Sequence, residues 1–106
     1  MYEAHLDTQR ARLVGHSTTD DYFTSAWLLT IIVDQDRIGL MKKLRGHGIE
    51  SGQVHYRNDR YSVLGGRCND LPNMDDVEDR YLVLPLHPRV RTDDVKKICS
   101  QINEGW

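Results

Sequence analysis

The sequence predicts a small α+β domain: a three-stranded mixed sheet with two main helices packed on one face, in the order β-α-β-(short α)-β-α. Three observations predict it. Two runs, Trp27 to Val33 and Tyr81 to Leu84, are rich in β-branched, aromatic and leucine residues and have strand character. After them, apolar residues recur at helical spacing, most clearly at Val95, Ile98, Cys99 and Ile102. The length, 106 residues, supports one hydrophobic core and no second one.

Taken in order, residues 1–24 read as a polar lead-in and residues 25–106 as the body of a single domain. Leu6 and Leu13 lie a heptad apart and hint at a helix over Glu3 to Leu13. Gly15 to Asp20 is turn chemistry. The run Trp27-Leu28-Leu29-Thr30-Ile31-Ile32-Val33 is apolar on both faces except at Thr30. That pattern fits a strand covered on both sides or central in its sheet. A helix follows, capped by Asp34 or Asp36. Ile38, Met41 and Leu44, with Leu40 beside them, form its apolar stripe; Arg37, Lys42, Lys43 and Arg45 point outward. Gly46 and Gly48 end it in positions that need positive φ. Ile49 to His55 reads as a second strand, reached by a connection too long for a hairpin. A loop over Tyr56 to Pro72 and a short helix over Met74 to Arg80, capped by Asn73, come next. Tyr81 to Leu84 is the third strand, stopped by Pro85 and Pro88. Thr92 caps the last helix, with Asp93 and Asp94 in its positive first turn.

Composition narrows the function. Fourteen basic and sixteen acidic residues give a net charge of −2. Such a chain has no overall attraction to nucleic acid or to an anionic membrane. The apolar run from Ala26 to Val33 is too short to span a bilayer. Met1 to His5 lacks the layout of a secretion signal. Cys68 and Cys99 lie far apart and form no CxxC, as expected of a reduced cytoplasmic protein. The five histidines and two cysteines have no metal-ligand spacing, so no metal is expected.

The densest chemistry is His55-Tyr56-Arg57-Asn58-Asp59-Arg60-Tyr61. Arginine forks suit phosphate or carboxylate, and tyrosine rings stack on sugars and bases. A solvated loop with exposed Arg–Asp pairs, each worth at most about 1 kcal/mol, fits the same residues. Asp70, Asp75, Asp76, Glu78 and Asp79 follow, which argues against nucleic acid. The four carboxylates crowded on the short helix read as a hydrated face. No GxSxG, phosphate-loop motif or catalytic cysteine setting is present.

The ordered series of segments resembles the C-terminal small domain of the DegT/StrS family of pyridoxal-phosphate-dependent sugar aminotransferases. It comprises Ala26 to Val33, Asp36-Arg37-Ile38 through to Gly48-Ile49, Val54 to Tyr61, Leu71 to Asp75, and Leu82 to Pro88 with Asp93-Asp94-Val95 behind it. The resemblance covers the chain from about Ser25 onward, with Tyr2 to Leu13 similar to the tail of the helix leading into that domain. It implies that the lysine bonding the cofactor, the aspartate on its pyridine nitrogen and the phosphate-binding turn lie in a large N-terminal domain. No cofactor is therefore expected in this chain, with pyridoxal phosphate belonging to the full-length family. Lys42, Lys43, Lys96 and Lys97 fall on helix faces and outside the family's lysine motif. The chain alone is not expected to be an enzyme.

By the same resemblance, His55, Tyr56, Arg57 and Asn58 match the stretch that helps hold a nucleotide-sugar substrate, with Arg60 and Tyr61 adjacent. Binding should be weak without the opposite wall of the cleft. Three functions stay open at this point. One is a stand-alone small domain, catalytically incomplete, that keeps part of a sugar-nucleotide surface. Another is an interaction module docking on a separate large-domain chain or forming a homo-oligomer, with Tyr22, Phe23, Val63 and Leu64 as the exposed apolar candidates. The third is an ACT-like domain binding a small molecule at a dimer seam.

Overall fold

A computed structural model describes residues 1–106 except His16, Ser17, Asp20, Asp21, Thr24 and Ala26; for Thr18, Thr19, Tyr22 and Phe23 it describes the backbone only. The fold is α+β, with a three-stranded sheet and α-helices against one face. Strands are β1 (Ala11–Val14), β2 (Thr18–Thr19), β3 (Tyr22–Phe23), β4 (Leu29–Val33) and β5 (Tyr81–Leu84). Helices are α1 (Arg37–Gly46), α2 (Pro72–Val77) and α3 (Thr92–Asn103). The sheet runs β1-β4-β5, while β2 and β3 pair with each other as a small ribbon.

The apolar run settles as the central strand, the second of its two sequence readings. Leu29, Ile31 and Val33 alternate inward and are buried. Register sets Leu13, Ile31 and Leu82 in one cross-strand row, and Ala11 opposite Val33. Over that face lie Leu40 and Leu44 of α1 and the stripe Val95, Ile98, Cys99 and Ile102 of α3, all buried as the helical spacing predicts. Removing a side chain such as Leu40 from this cluster costs about 2–5 kcal/mol.

Three expectations about the sheet are corrected. It is antiparallel throughout, not mixed. Its third strand comes from the lead-in: β1 stands where a helix tail was expected, and only Tyr2–Ala4 makes a helical turn, of 3-10 type. Ala11 buried and Arg12 exposed is the two-residue alternation of a strand, which two leucines a heptad apart do not reveal. Ile49 to His55 is no strand. It touches the sheet at one bridge, Gly52 to Val83, where Val83 N–H donates to Gly52 O at 2.8 Å. Val54 and His55 are exposed, so this stretch lacks the burial that would hold a longer ladder.

Helix ends differ in detail. Asp36 caps α1, its carboxylate accepting from Gly39 N–H at 2.9 Å, from a left-handed backbone (φ 46°). Trp106 Nε1–H donates to the Asp36 carbonyl at 2.8 Å and fixes that turn. Ile38 is 51% exposed and leaves the apolar stripe to Leu40 and Leu44, with Met41 at its flank. Of the two glycines, only Gly48 has positive φ; Gly46 is helical. Pro72, preceded by Leu71 at the cap position, opens α2 in place of an Asn73 cap. Thr92 is the first residue of α3 and not its cap. Arg91 holds that position and Asp94 accepts its N–H at 2.9 Å. Lys43 does not point into water: its ammonium donates to the carbonyls of Gln101 and Gly105, both at 2.7 Å. Arg37 also turns inward, donating to the carbonyls of Glu78 and Tyr81.

Candidate functional site

The stretch between Ile49 and Tyr81 forms an arm alongside the sheet, and its inner end is fixed to the body. Gln53 Nε2 donates to the Tyr81 hydroxyl at 2.9 Å. Beyond α2, Arg80 donates to the Val33 carbonyl and pairs with Asp34 and Asp76, each near 3.0 Å. The loop is more ordered than its lack of periodicity implies. Asn58–Arg60 and Ser62–Leu64 each make a 3-10 turn, and the second ends at Gly65 with φ 98°. A β-carbon is strained in that region, which is why glycine serves there.

Among the site candidates, His55, Tyr56, Asn58, Arg60 and Tyr61 are exposed. The His55 ring lies 5.7 Å from that of Trp27, tilted by 51°. The Arg60 guanidinium stands over both tyrosines, 4.4 Å from the Tyr56 ring centre and 5.8 Å from that of Tyr61. Such contacts with the ring faces hold a cation while leaving its in-plane N–H groups available.

Arg57 behaves oppositely. Its side chain is 2% exposed and its guanidinium is enclosed by three carboxylates. Nε and Nη2 grip Asp59, the latter at 2.6 Å; Nη1 reaches Asp75 at 2.5 Å and Glu78 at 3.0 Å. Arg67 joins from outside, 3.0 Å from Glu78 and 3.1 Å from Asp75. Asp59 also accepts the Cys68 N–H at 2.9 Å. The hydrogen bonds from Arg57 and the Cys68 amide hold Asp59 well below the usual carboxylate range. Partial burial pushes Glu78 upward, and the bonds from Arg57 and Arg67 overcome it, leaving that group lowered. Bonds to Asp59 and then Asp75 keep Arg57 charged at any accessible pH.

Asp75 and Glu78 thus serve as partners of Arg57, where a hydrated acidic face was expected. The signal was their three-residue spacing, which puts both on one side of a helical turn. Val63 and Leu64 sit on the second 3-10 turn, 88% and 62% exposed. The side chains of Tyr22 and Phe23 lie outside the described residues. Among the described residues, no group of three or more His, Cys, Asp or Glu is placed to hold a metal ion, and no helix is long and apolar enough to cross a membrane.

The site is thus an arginine- and tyrosine-bearing loop beside an antiparallel three-stranded sheet that is backed by helices. The chain matches the DegT/DnrJ/EryC1/StrS aminotransferase family over residues 1–103, and it belongs to that family. Among solved structures it is similar to the sugar aminotransferase CalS13 from Micromonospora echinospora, at 29% identity and a TM-score of 0.76, over 89% of this chain and 25% of that one. AtS13 from Actinomadura melliaura gives 27% identity and 0.79, over 99% and 27%. For the fold alone, the apo form of Spr1654 from Streptococcus pneumoniae gives 20% and 0.82, over 97% and 27%. The chain therefore spans about a quarter of the length of these proteins. No curated protein matches it.

The family depends on pyridoxal phosphate. Its chemistry needs a lysine that is buried and pre-oriented. Lys42, Lys96 and Lys97 are exposed, and the Lys43 ammonium is committed to two carbonyls. These residues do not fit the cofactor, and no step through it is assigned to them.

Proposed function

We propose that this chain serves as the small domain of a sugar aminotransferase, contributing one wall of a cleft that holds a nucleotide sugar. Its 55–61 segment forms that wall, and a large domain of the same family carries the cofactor. The carrying observation is Arg60. Four arginines lie on the arm, and Arg57, Arg67 and Arg80 are each paired with carboxylates. Arg60 rests on the rings of Tyr56 and Tyr61 instead. A guanidinium carried on ring faces is suited to a diphosphate, and the exposed rings of Tyr56, Tyr61 and His55 to a sugar or base. Asn58 adds an amide for a sugar hydroxyl, and Arg57 stands behind the surface. Val63 and Leu64, exposed beside this wall, are the surface that a large domain would cover.

The reading is tested by titrating UDP-glucose into the isotopically labelled chain and following backbone and arginine side-chain NMR signals. We expect shifts confined to His55 through Tyr61 and to Arg60 Nε, with an affinity on the order of a millimolar, since the second wall is missing. Arg60→Ala should abolish them. Shifts that ignore Arg60→Ala, or none at all, refute the assignment.

A further inference from the structure

From Ile49 to Leu82 the chain has no apolar core of its own. Ile49 and Leu82 are themselves buried, but between them the one buried residue is a cation, Arg57, at 5% exposure. Burying a charge is unfavourable unless each of its donors is matched. Here Nε, Nη1 and Nη2 all meet carboxylate oxygens, and those oxygens come from two pieces of chain. Asp59 belongs to the loop itself, whereas Asp75 belongs to α2 and Glu78 to its C-terminal end. The guanidinium therefore bridges loop and helix. The helix end is in turn bound to the body through Arg37 on the Glu78 carbonyl and Arg80 on Val33 and Asp34. A relay of arginines joins body to α2 and α2 to loop.

We propose that Arg57 is a positioning residue: an ionic latch that seats the 57–68 loop on α2 and so fixes the orientation of Tyr56, Arg60 and Tyr61. It rests on the substrate-wall reading only for what that platform holds. Charge count gives the latch its force. Asp59, Asp75 and Glu78 face Arg57 and Arg67, three negative charges against two positive. Without Arg57 the same three carboxylates face one cation, and Asp59 is repelled from α2 instead of drawn to it. Lysine does not replace it, because an ammonium lacks the planar fork that grips Asp59 through two nitrogens while a third reaches α2. Tyr56 and Asn58 are its chain neighbours, and Asn58–Arg60 is the turn that leads to the platform, so release of the latch displaces the platform directly.

The test is amide hydrogen exchange on the full 106-residue chain with Arg57→Gln and Arg57→Lys. The Cys68 amide and those of Tyr61, Leu64 and Gly66 should exchange at least about tenfold faster in both variants, while amides of β4, β5 and α3 keep their rates. Loop amides that stay protected in Arg57→Gln overturn the latch, and so does full rescue by lysine. Should Arg57→Gln fail to fold, the Asp75→Asn/Glu78→Gln pair, on partly exposed positions, must accelerate the same amides or the proposal falls. UDP-glucose then separates the two readings. Weaker binding to Arg57→Lys with Arg60 intact supports positioning, and unchanged binding to a released loop refutes it. If wild-type chain ignores UDP-glucose, the substrate reading fails while the exchange rates still decide the latch.

Discussion

The body and the arm of this molecule are held by opposite physics. The body closes Leu29, Ile31, Val33, Leu40, Leu82 and the α3 stripe against one another, away from water. The arm fully buries one residue, the Arg57 cation, and no apolar side chain. Apolar burial is non-directional and tolerates small shifts, whereas a forked cation among three carboxylates fixes distances and angles. A surface that must present Tyr56, Arg60 and Tyr61 in a set arrangement gains more from the second kind of contact than from a few extra leucines. The division also implies a hierarchy: the arm has no apolar core of its own and is tied to the body through Arg37 and Arg80, so its order depends on the body.

The largest effect that sharpens this hierarchy is Leu40→Ala. It should cost about 2–5 kcal/mol in urea or thermal unfolding, with arm and body melting together. Persistence of the body after that loss would break the comparison.

Acid should act the other way round. Asp59 and Glu78 titrate below their ordinary values when folded, so the released arm binds protons more readily than the seated one. Their contribution is complete above the ordinary carboxylate range, near pH 4, and fades as pH falls toward the lowered folded values. Between about pH 5 and pH 2 the Cys68 and Tyr61 NMR signals should move before those of Ile31 and Leu82. The buried titratable groups of the body, Tyr2 and Cys99, are both pushed upward, chiefly by burial, and stay neutral throughout. One joint transition would contradict the division.

The smallest effect lies inside α1. Gly46 is helical with open space where a β-carbon would go, so Gly46→Ala should stabilise by about 0.5–1 kcal/mol. At Gly39 an added β-carbon would fall 2.1 Å from the Asp36 carboxylate. Gly39→Ala should displace that cap, and thermal melts should show no gain or a net loss.

Legibility in the sequence followed the same boundary. The α3 stripe and β5 were readable residue by residue, because burial writes a period into the chain. The core strand was readable too, though not its neighbour: β1 is four residues long, with one of them buried, and carries almost no pattern. In the arm, the residues that matter were visible as types, while their pairing was not. His55 to Tyr61 contains two arginines of equal local promise, and nothing in that stretch says which one turns inward. The answer lies eighteen and twenty-one residues downstream, at Asp75 and Glu78, which face Arg57 only once α2 is seated. Ionic partners obey no period, so a contact of this kind leaves no trace in hydropathy.

The two thiols fall on either side of the boundary. Cys99 is sealed among the helices with its acidity suppressed by burial, while Cys68 is exposed and its amide belongs to the latch. Thiolate chemistry needs access as well as charge. A maleimide dye added to the native chain will therefore mark the arm alone, giving a spectroscopic reporter at the point where loop and helix part, with no engineered residue.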